Sequence, residues 1–314
     1  ENDIVPVDQV DAPLSLSGHI ADLRARAASP DNTADAQLAA TLLALMARED
    51  VLSAQPQRWL GAGGTPTTDA EYAGELTLSP SQFERALACP LRWFLTTVGA
   101  DGPSNAAASL GTLIHAVAEE HPHGTPEELT EALEARIEEL GYNLDTWAGR
   151  VADRHARDIV NNLASYLEGI PGPVEVEQTV SAQVEGVTIR GRMDRLEHVD
   201  EGVRVTDLKT GKSGYSAKTV PDNPQLAAYQ MALLASGERV AGARIALLGD
   251  DKLKYFDQPR LEGQALEDWH DKIRSVAADA RGPYFEARPS DAACAYCSFD
   301  RLCPARERGH KVVE

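Results

Sequence analysis

Three residues between Gly186 and Thr210, in the stretch GVTIRGRMDRLEHVDEGVRVTDLKT, have the types and spacing for metal-assisted hydrolysis. Asp194 lies near the end of one apolar-rich run, Val187 to Leu196. Asp207 and Lys209 stand two apart on the next run, which opens at Val203. Between the runs lies an acidic turn of Asp200, Glu201 and Gly202, and alternation bounded in this way predicts a β-hairpin. Residues two apart in a strand share a face, so Asp207 and Lys209 point the same way. The hairpin thereby gathers two carboxylates and an ammonium. Carboxylate oxygens are hard ligands suited to Mg²⁺ or Mn²⁺. A lysine beside them can stabilise an anionic transition state. Most Asp-x-Lys pairs on hairpins are ordinary surface charges, so the surrounding residues decide the matter.

Gln225 and Tyr229 are four apart on a predicted helix, Pro224 to Ala235, and so share one face of it. Taken alone they are a polar helix face. His115, in G-T-L-I-H-A, sits on another predicted helix, where a lone histidine is more often a hydrogen-bonded core residue than a ligand. Glu177, on the strand before the hairpin, reads as structural. Arg192 and Arg195 flank Asp194 and could meet a phosphate or pair with a neighbouring acid, so both stay outside the catalytic set.

The four cysteines form a second constellation. Cys294, Cys297 and Cys303 read C-x-x-C-x5-C, with Cys89 about 200 residues away. A secreted disulfide scaffold would be smaller and denser in cysteine. Four thiolates suit a metal site, and zinc and an iron–sulfur cluster both accept four cysteines. Thr210-Gly211-Lys212-Ser213 mimics the end of a phosphate-binding loop, but Thr206 stands where its first glycine belongs and no strand-to-helix transition is predicted. No ATP site is read there.

The elements that must position these residues can be placed coarsely. Leu16 to Ala28 and Ala34 to Ala47 carry helix formers with apolar residues three or four apart. Gly61 to Asp69, GAGGTPTTD, reads as a linker, so residues 1–70 form a helical lead-in and 71–314 the main domain. Ser79-Pro80-Ser81-Gln82 opens a helix with a capping residue, a proline at its first position and Gln at the third, and Pro90 breaks that helix. Helices follow from about Ala107, over Pro126 to Leu140, and over Leu144 to Leu167. Strands are predicted over Val174 to Val184, the hairpin, Ala243 to Leu248 and Lys252 to Phe256, before a helix from Leu261 to Ala280. Helices, a strand cluster and a helical crossover fit an α/β core better than a sandwich.

With 314 residues the chain can hold one large domain and an appendage. Its 43% hydrophobic and 25% charged residues are ordinary globular values, and no run is long enough to span a membrane. A net charge of −19 argues against indiscriminate nucleic-acid binding, although basic groups can still line one groove. The chain opens on Glu1 rather than Met, as an excised C-terminal piece would.

Together, LSPSQFERALACPLRWF at 78–94, G-T-L-I-H at 111–115, G-R-M-D-R at 191–195, D-L-K-T-G at 207–211, and Gln225 with Tyr229 resemble the RecB-like branch of the PD-(D/E)xK nucleases. The resemblance covers roughly residues 77 to 308. It implies a restriction-endonuclease-like core, a mixed central sheet flanked by helices. It also implies that His115, Asp194, Asp207 and the Leu208 carbonyl hold Mg²⁺ or Mn²⁺. Lys209 would then orient or deprotonate water or stabilise charge on phosphorus, with Gln225 and Tyr229 steadying the lysine and the substrate phosphate.

One early cysteine facing three late ones resembles the iron–sulfur members of the AddB, AdnB and Cas-associated types. In that likeness Cys89, Cys294, Cys297 and Cys303 bind a [4Fe–4S] cluster that clasps the two ends of the domain, zinc being the alternative. The implied protein is a cytoplasmic bacterial deoxyribonuclease, a single-strand exonuclease by expectation. It would serve a helicase–nuclease of the AdnB type in double-strand-break processing, with the motor in the same chain or a partner subunit. A free-standing or Cas-type exonuclease is the enzymatic alternative. A catalytically idle module gripping DNA or a partner is the alternative from another class, against which the complete His–Asp–Asp-x-Lys set argues.

Overall fold

A computed structural model describes residues 15–28, 33–56, 71–100, 106–170, 172–212, 214–295, 297–300 and 302–306. The chain divides into two compact units, residues 1–69 and 70–314. In the first, helices α1 (Leu16–Ala28) and α2 (Thr33–Arg48) bury Ile20, Leu23, Ala39 and Leu43 against one another. An ion pair between Arg26 and Asp35 joins them.

The second unit opens with a short strand, β1 (Leu76–Leu78), that the sequence reading did not foresee. Helix α3 (Pro80–Ala88) begins on the expected capping box: the Gln82 amide donates to Ser79 Oγ at 3.2 Å, and the Ser79 amide to Gln82 Oε1 at 2.9 Å. Cys89, in an extended conformation, ends α3 and starts α4 (Pro90–Thr97), because Pro90 can open a helix but not continue one. Then come α5 (Ala106–Glu120), α6 (Pro126–Glu134) and α7 (Trp147–Glu168). The helix expected over Pro126 to Leu140 stops at Glu134, and a tighter 3₁₀ turn takes over at Ile137–Leu140.

Strands β2 (Val174–Val184), β3 (Val187–Val199) and β4 (Gly202–Lys209) form an antiparallel meander. Helix α8 (Pro224–Ala235) crosses over to β5 (Val240–Leu247), which lies parallel to β4. Strand β6 (Lys254–Pro259) returns antiparallel, and α9 (Gly263–Ala280) and the short α10 (Asp291–Cys294) follow. The six strands make one mixed sheet, with β2 joining the path β1-β3-β4-β5-β6 through β3. After β4, residues 210–212 and 214–219 lie in bends, turns and irregular backbone.

Both faces are covered. Phe83, Leu226 and Trp269 from α3, α8 and α9 pack with Ile189, Val205 and Ile245. Ile114, Leu129, Ile159 and Leu163 from α5, α6 and α7 pack with Leu208 and Ala246. Because side chains alternate along a strand, β4 and β5 feed both cores at once. The result is the α/β arrangement of a mixed sheet between helices that the sequence predicts.

Candidate active site

The site lies where the sheet forks. One edge of β3 is covered by β2 from Val187 to Glu197. The other edge is shared, with β1 on Val187 to Ile189 and β4 on Arg195 to Val199. Among the described residues no strand pairs with that edge from Arg190 to Asp194. Beyond the Arg195–Thr206 pair β4 leaves β3, still held by β5 as far as Lys209 and Leu247. The Leu208 amide thus faces an opening instead of a strand, and a polar backbone group so placed must find another partner. Asp194 supplies it, Oδ2 accepting the Leu208 N–H at 2.7 Å. The N–H and C=O of one strand residue leave on the same side, so the Leu208 carbonyl also faces the opening.

Asp207, on β4, is buried. Its Oδ2 pairs with Lys209 Nζ at 2.8 Å, and its Oδ1 accepts from Gln225 Nε2 at 2.9 Å. Gln225 Oε1 in turn accepts from Lys209 Nζ at 3.2 Å, closing a ring of three side chains. Burial pushes the Asp207 carboxyl up to about 6, against the pull of Lys209 and with the charge of Asp194 adding to the rise. For Lys209, burial works against the ammonium, but Asp207 and its neighbours prevail and hold its pKa above the ordinary value. The lysine is therefore a cation at neutral pH.

Tyr229 donates its hydroxyl to the Arg192 carbonyl at 2.7 Å. Its ring occupies the space left by Gly191, where a Cβ would stand 2.9 Å from Tyr229 Cε1 and 2.6 Å from Pro80 Cδ. Burial, with the charges of Asp207 and Asp194, keeps this hydroxyl protonated. Gln225 and Tyr229 thus share a face of α8 but serve different strands, the first the Asp207–Lys209 pair and the second β3.

From the opposite side α5 brings His115, whose Nδ1 lies 3.3 Å from Asp194 Oδ1. Burial alone would lower the imidazole pKa, but the hydrogen bond and charge of Asp194, with Asp207 and Glu177 behind it, raise it. Ligand atoms of His115, Asp194 and Glu177 all lie within 4.8 Å of one another. This group differs from the expected one. Glu177 stands in it where Asp207 was expected, because Asp207 is drawn into its ring with Lys209 and Gln225.

The position of Glu177, read from the sequence as structural, is fixed by the turn before β3. Glu185 and Gly186, with φ of 49° and 74°, form a two-residue turn of the primed type, which fixes the β2–β3 register. Counting outward from Val184↔Val187 puts Gln178 opposite Met193 and Val176 opposite Arg195, so Glu177 faces Asp194. Glu177 itself adopts φ of 53°, a left-handed backbone rare for a side chain of this kind. Burial and the Asp194 charge raise its carboxyl pKa, while Arg192, which ion-pairs with it, opposes the rise. Arg192 also pairs with Glu119 at 2.8 Å. Two further residues outside the expected set neighbour Lys209, whose charge favours their ionisation against the effect of burial: Tyr215 and, from α3, Glu84.

The cysteines do not converge as expected. All four thiols are free and half-buried. Among the described residues their sulfurs form no group of three within 4.8 Å. Tetrahedral zinc would require sulfurs about 3.8 Å apart, from Zn–S bonds of about 2.3 Å. Free thiols attract one another weakly, and a preformed metal site is uncommon without the metal to gather its ligands. The segments bearing them are nevertheless adjacent. Arg92 Nη1 donates to the Ala293 carbonyl at 2.8 Å, and the Leu91 amide to the Glu286 carbonyl at 3.2 Å. Phe94 stacks on Phe285 with ring centroids 4.1 Å apart.

No helix of the described residues is long and apolar enough to cross a membrane. No curated protein matches the chain. Among solved structures, SSO0001 is similar at 18% identity, with 74% of this chain and 88% of that one covered and a TM-score of 0.39. A candidate exonuclease from Eubacterium rectale is similar at 11% identity, with 75% and 92% covered and a TM-score of 0.45. The family model of the PD-(D/E)XK nuclease superfamily matches residues 77–304, which include every candidate site residue and all four cysteines. The chain belongs to the PD-(D/E)XK nuclease superfamily.

Proposed function

We propose that this chain hydrolyses DNA phosphodiester bonds at the fork, with single strands as the preferred substrate. The observation that carries the proposal is the ring of Asp207, Lys209 and Gln225 set beside the His115–Asp194 pair. Imidazole nitrogen and carboxylate oxygen are a donor set suited to Mn²⁺ or Mg²⁺. His115, Asp194, Asp207 and the Leu208 carbonyl would hold the ion, with Glu177 placed to join them. When bound, the ion supplies Lewis acidity and a water of lowered pKa.

The chain's own groups do the rest. Lys209, kept charged by Asp207 and oriented by Gln225, presents an ammonium to charge developing on the phosphoryl oxygens. Tyr229 holds the Arg192 backbone, and with it the path of β3 into Asp194. These roles predict that Asp207→Ala and Lys209→Ala each lower cleavage at least about 100-fold while the protein stays folded. Undiminished, EDTA-resistant cleavage by Asp207→Ala protein would reject the assignment.

The substrate preference rests on charge. With a net charge of −19, long-range attraction to duplex DNA is weak. A helicase–nuclease of the AdnB type, in which a motor delivers an unwound strand, fits this weakness. Initial rates on end-labelled single-stranded and blunt duplex DNA test it, and faster loss of blunt duplex without ATP would point to an autonomous nuclease. We further propose a [4Fe–4S] clasp on Cys89, Cys294, Cys297 and Cys303, supported by the spacing and the adjacency of the two segments. An anaerobic preparation with iron, sulfide and a visible chromophore is the expected result. One zinc and no colour would replace the cluster while keeping the clasp.

A further inference from the structure

We infer that Arg195 is a positioning residue that sets the separation of His115 and Asp194. This rests on reading those two as metal ligands. Arg195 follows Asp194 on β3 and is 1% exposed. It reaches away from the fork, to the C-terminal end of the helix that carries His115. Nη1 donates to the Ala118 carbonyl at 3.2 Å, and Nη2 donates to the Pro122 carbonyl just beyond the helix. Ala118 is three residues from His115, about one helical turn away. One residue pair thus bridges strand and helix directly behind the ligand pair that the same two elements bring together.

The chemistry suits this task better than it suits stability. A buried cation is costly, and an apolar side chain of similar volume would often serve packing as well. What an apolar side chain cannot do is fix the helix along its axis. Ile114 and Val117 of α5 pack against the sheet by non-directional contacts, which tolerate sliding. Two hydrogen bonds from one planar guanidinium do not tolerate it. They also meet carbonyls at a helix end that lack intrahelical partners and carry partial negative charge.

The guanidinium is itself held in place. It lies over the Tyr166 ring at 5.5 Å from the centroid. The Tyr166 hydroxyl donates to Glu197 Oε1 at 2.5 Å, and Thr206 Oγ1 donates to the same oxygen at 2.6 Å. Arg204 binds the other oxygen through Nε at 2.9 Å and Nη2 at 2.6 Å. Glu197, 1% exposed, places a negative charge two residues from Arg195. This buried set ties α5, α7, β3 and β4 together beneath the fork.

The test is calorimetric titration of Mn²⁺ into the full chain, with thermal melting, for wild type, Arg195→Met, Arg195→Lys and Tyr166→Phe. Arg195→Met is expected to weaken Mn²⁺ binding 10- to 100-fold, the loss typical when a partner behind a ligand is removed. Arg195→Lys should recover part of it, since an ammonium can reach one carbonyl but lacks the planar fork for both. Tyr166→Phe keeps the ring under the guanidinium but removes the hydroxyl that bonds Glu197 and also acts on Arg195 and Thr206. It should melt earlier and weaken Mn²⁺ binding less than Arg195→Met does. Wild-type affinity in Arg195→Met would make Arg195 purely structural and overturn the inference. If that variant does not fold, wild-type affinity in Arg195→Lys, with its single contact, overturns it equally. Wild-type protein that binds no Mn²⁺ would instead reject the metal reading on which the inference rests.

Discussion

The Asp194 carboxylate accepts the Leu208 amide proton at 2.7 Å, across the point where β3 and β4 part. One oxygen is thereby committed to the backbone, while the other faces His115 at 3.3 Å. Asp194→Asn can still accept the Leu208 proton and should fold nearly as well as wild type, yet lose cleavage by about 100-fold or more. Asp194→Ala leaves that amide without its acceptor and should cost a further 1–3 kcal/mol, roughly, in chemical denaturation. Equal stability of the two variants would show that the amide finds another partner.

Gly191 bears on the same fork through Tyr229. A Cβ there would lie 2.6 Å from Pro80 Cδ and 2.9 Å from the Tyr229 ring. Neither can retreat easily, since Pro80 opens α3 and the Tyr229 hydroxyl is bound to Arg192. Gly191→Ala should therefore lose about 1–3 kcal/mol by overpacking and displace Tyr229. Tyr229→Phe, which keeps the ring, should lose less stability than Gly191→Ala while still impairing cleavage. Wild-type melting of Gly191→Ala would refute the close packing.

Glu84 provides a pH test away from the ligands. Burial raises its carboxyl pKa above the ordinary 4.5, while Lys209 and Arg85 work in the opposite direction. Because the folded-state value is the higher one, the folded protein binds the proton more tightly. That contribution is fully present below the unfolded pKa and is lost as pH rises through the folded pKa. Glu84→Gln should accordingly raise the melting temperature at pH 7.5 relative to wild type, with the gain shrinking towards pH 4. A gain that grew as pH fell would show the opposite shift.

The cysteine clasp makes a prediction about distant residues. Cys89→Ala and Cys297→Ala should lower the melting temperature by similar amounts, because either loss opens the same closure of a loop of about 200 residues. Each should also lose bound metal, read as iron and sulfide or as zinc. Full metal content in Cys89→Ala would separate Cys89 from the other three.

Much of the architecture was written locally. Ser79 and Gln82 build their capping box within one turn, and Cys89-Pro90 breaks the helix because proline lacks an amide proton and clashes with the preceding turn. The pairing of Asp207 with Lys209 follows from the two-residue period of a strand, and the shared face of Gln225 and Tyr229 from the period of a helix. Even the approach of Glu177 to Asp194 follows from counting outward from the Glu185-Gly186 turn. Such features depend on backbone geometry over a few residues, so composition and spacing determine them.

Other features depended on which segments became neighbours. Nothing around His115 distinguishes a core histidine from one facing Asp194. Only the packing of α5 on the sheet decides that, with Arg195 joining the two elements at Ala118 and Pro122. Arg195 and Arg192 flank the same aspartate in sequence, yet one is buried beneath helices and the other lies exposed between Glu177 and Glu119. The fork itself required β1, three residues too short to announce itself by alternation, to take the edge of β3 that β4 leaves. Spacing determines the direction in which a side chain leaves its own element. What it meets there is set by long-range burial and pairing, which bring together residues separated by most of the chain.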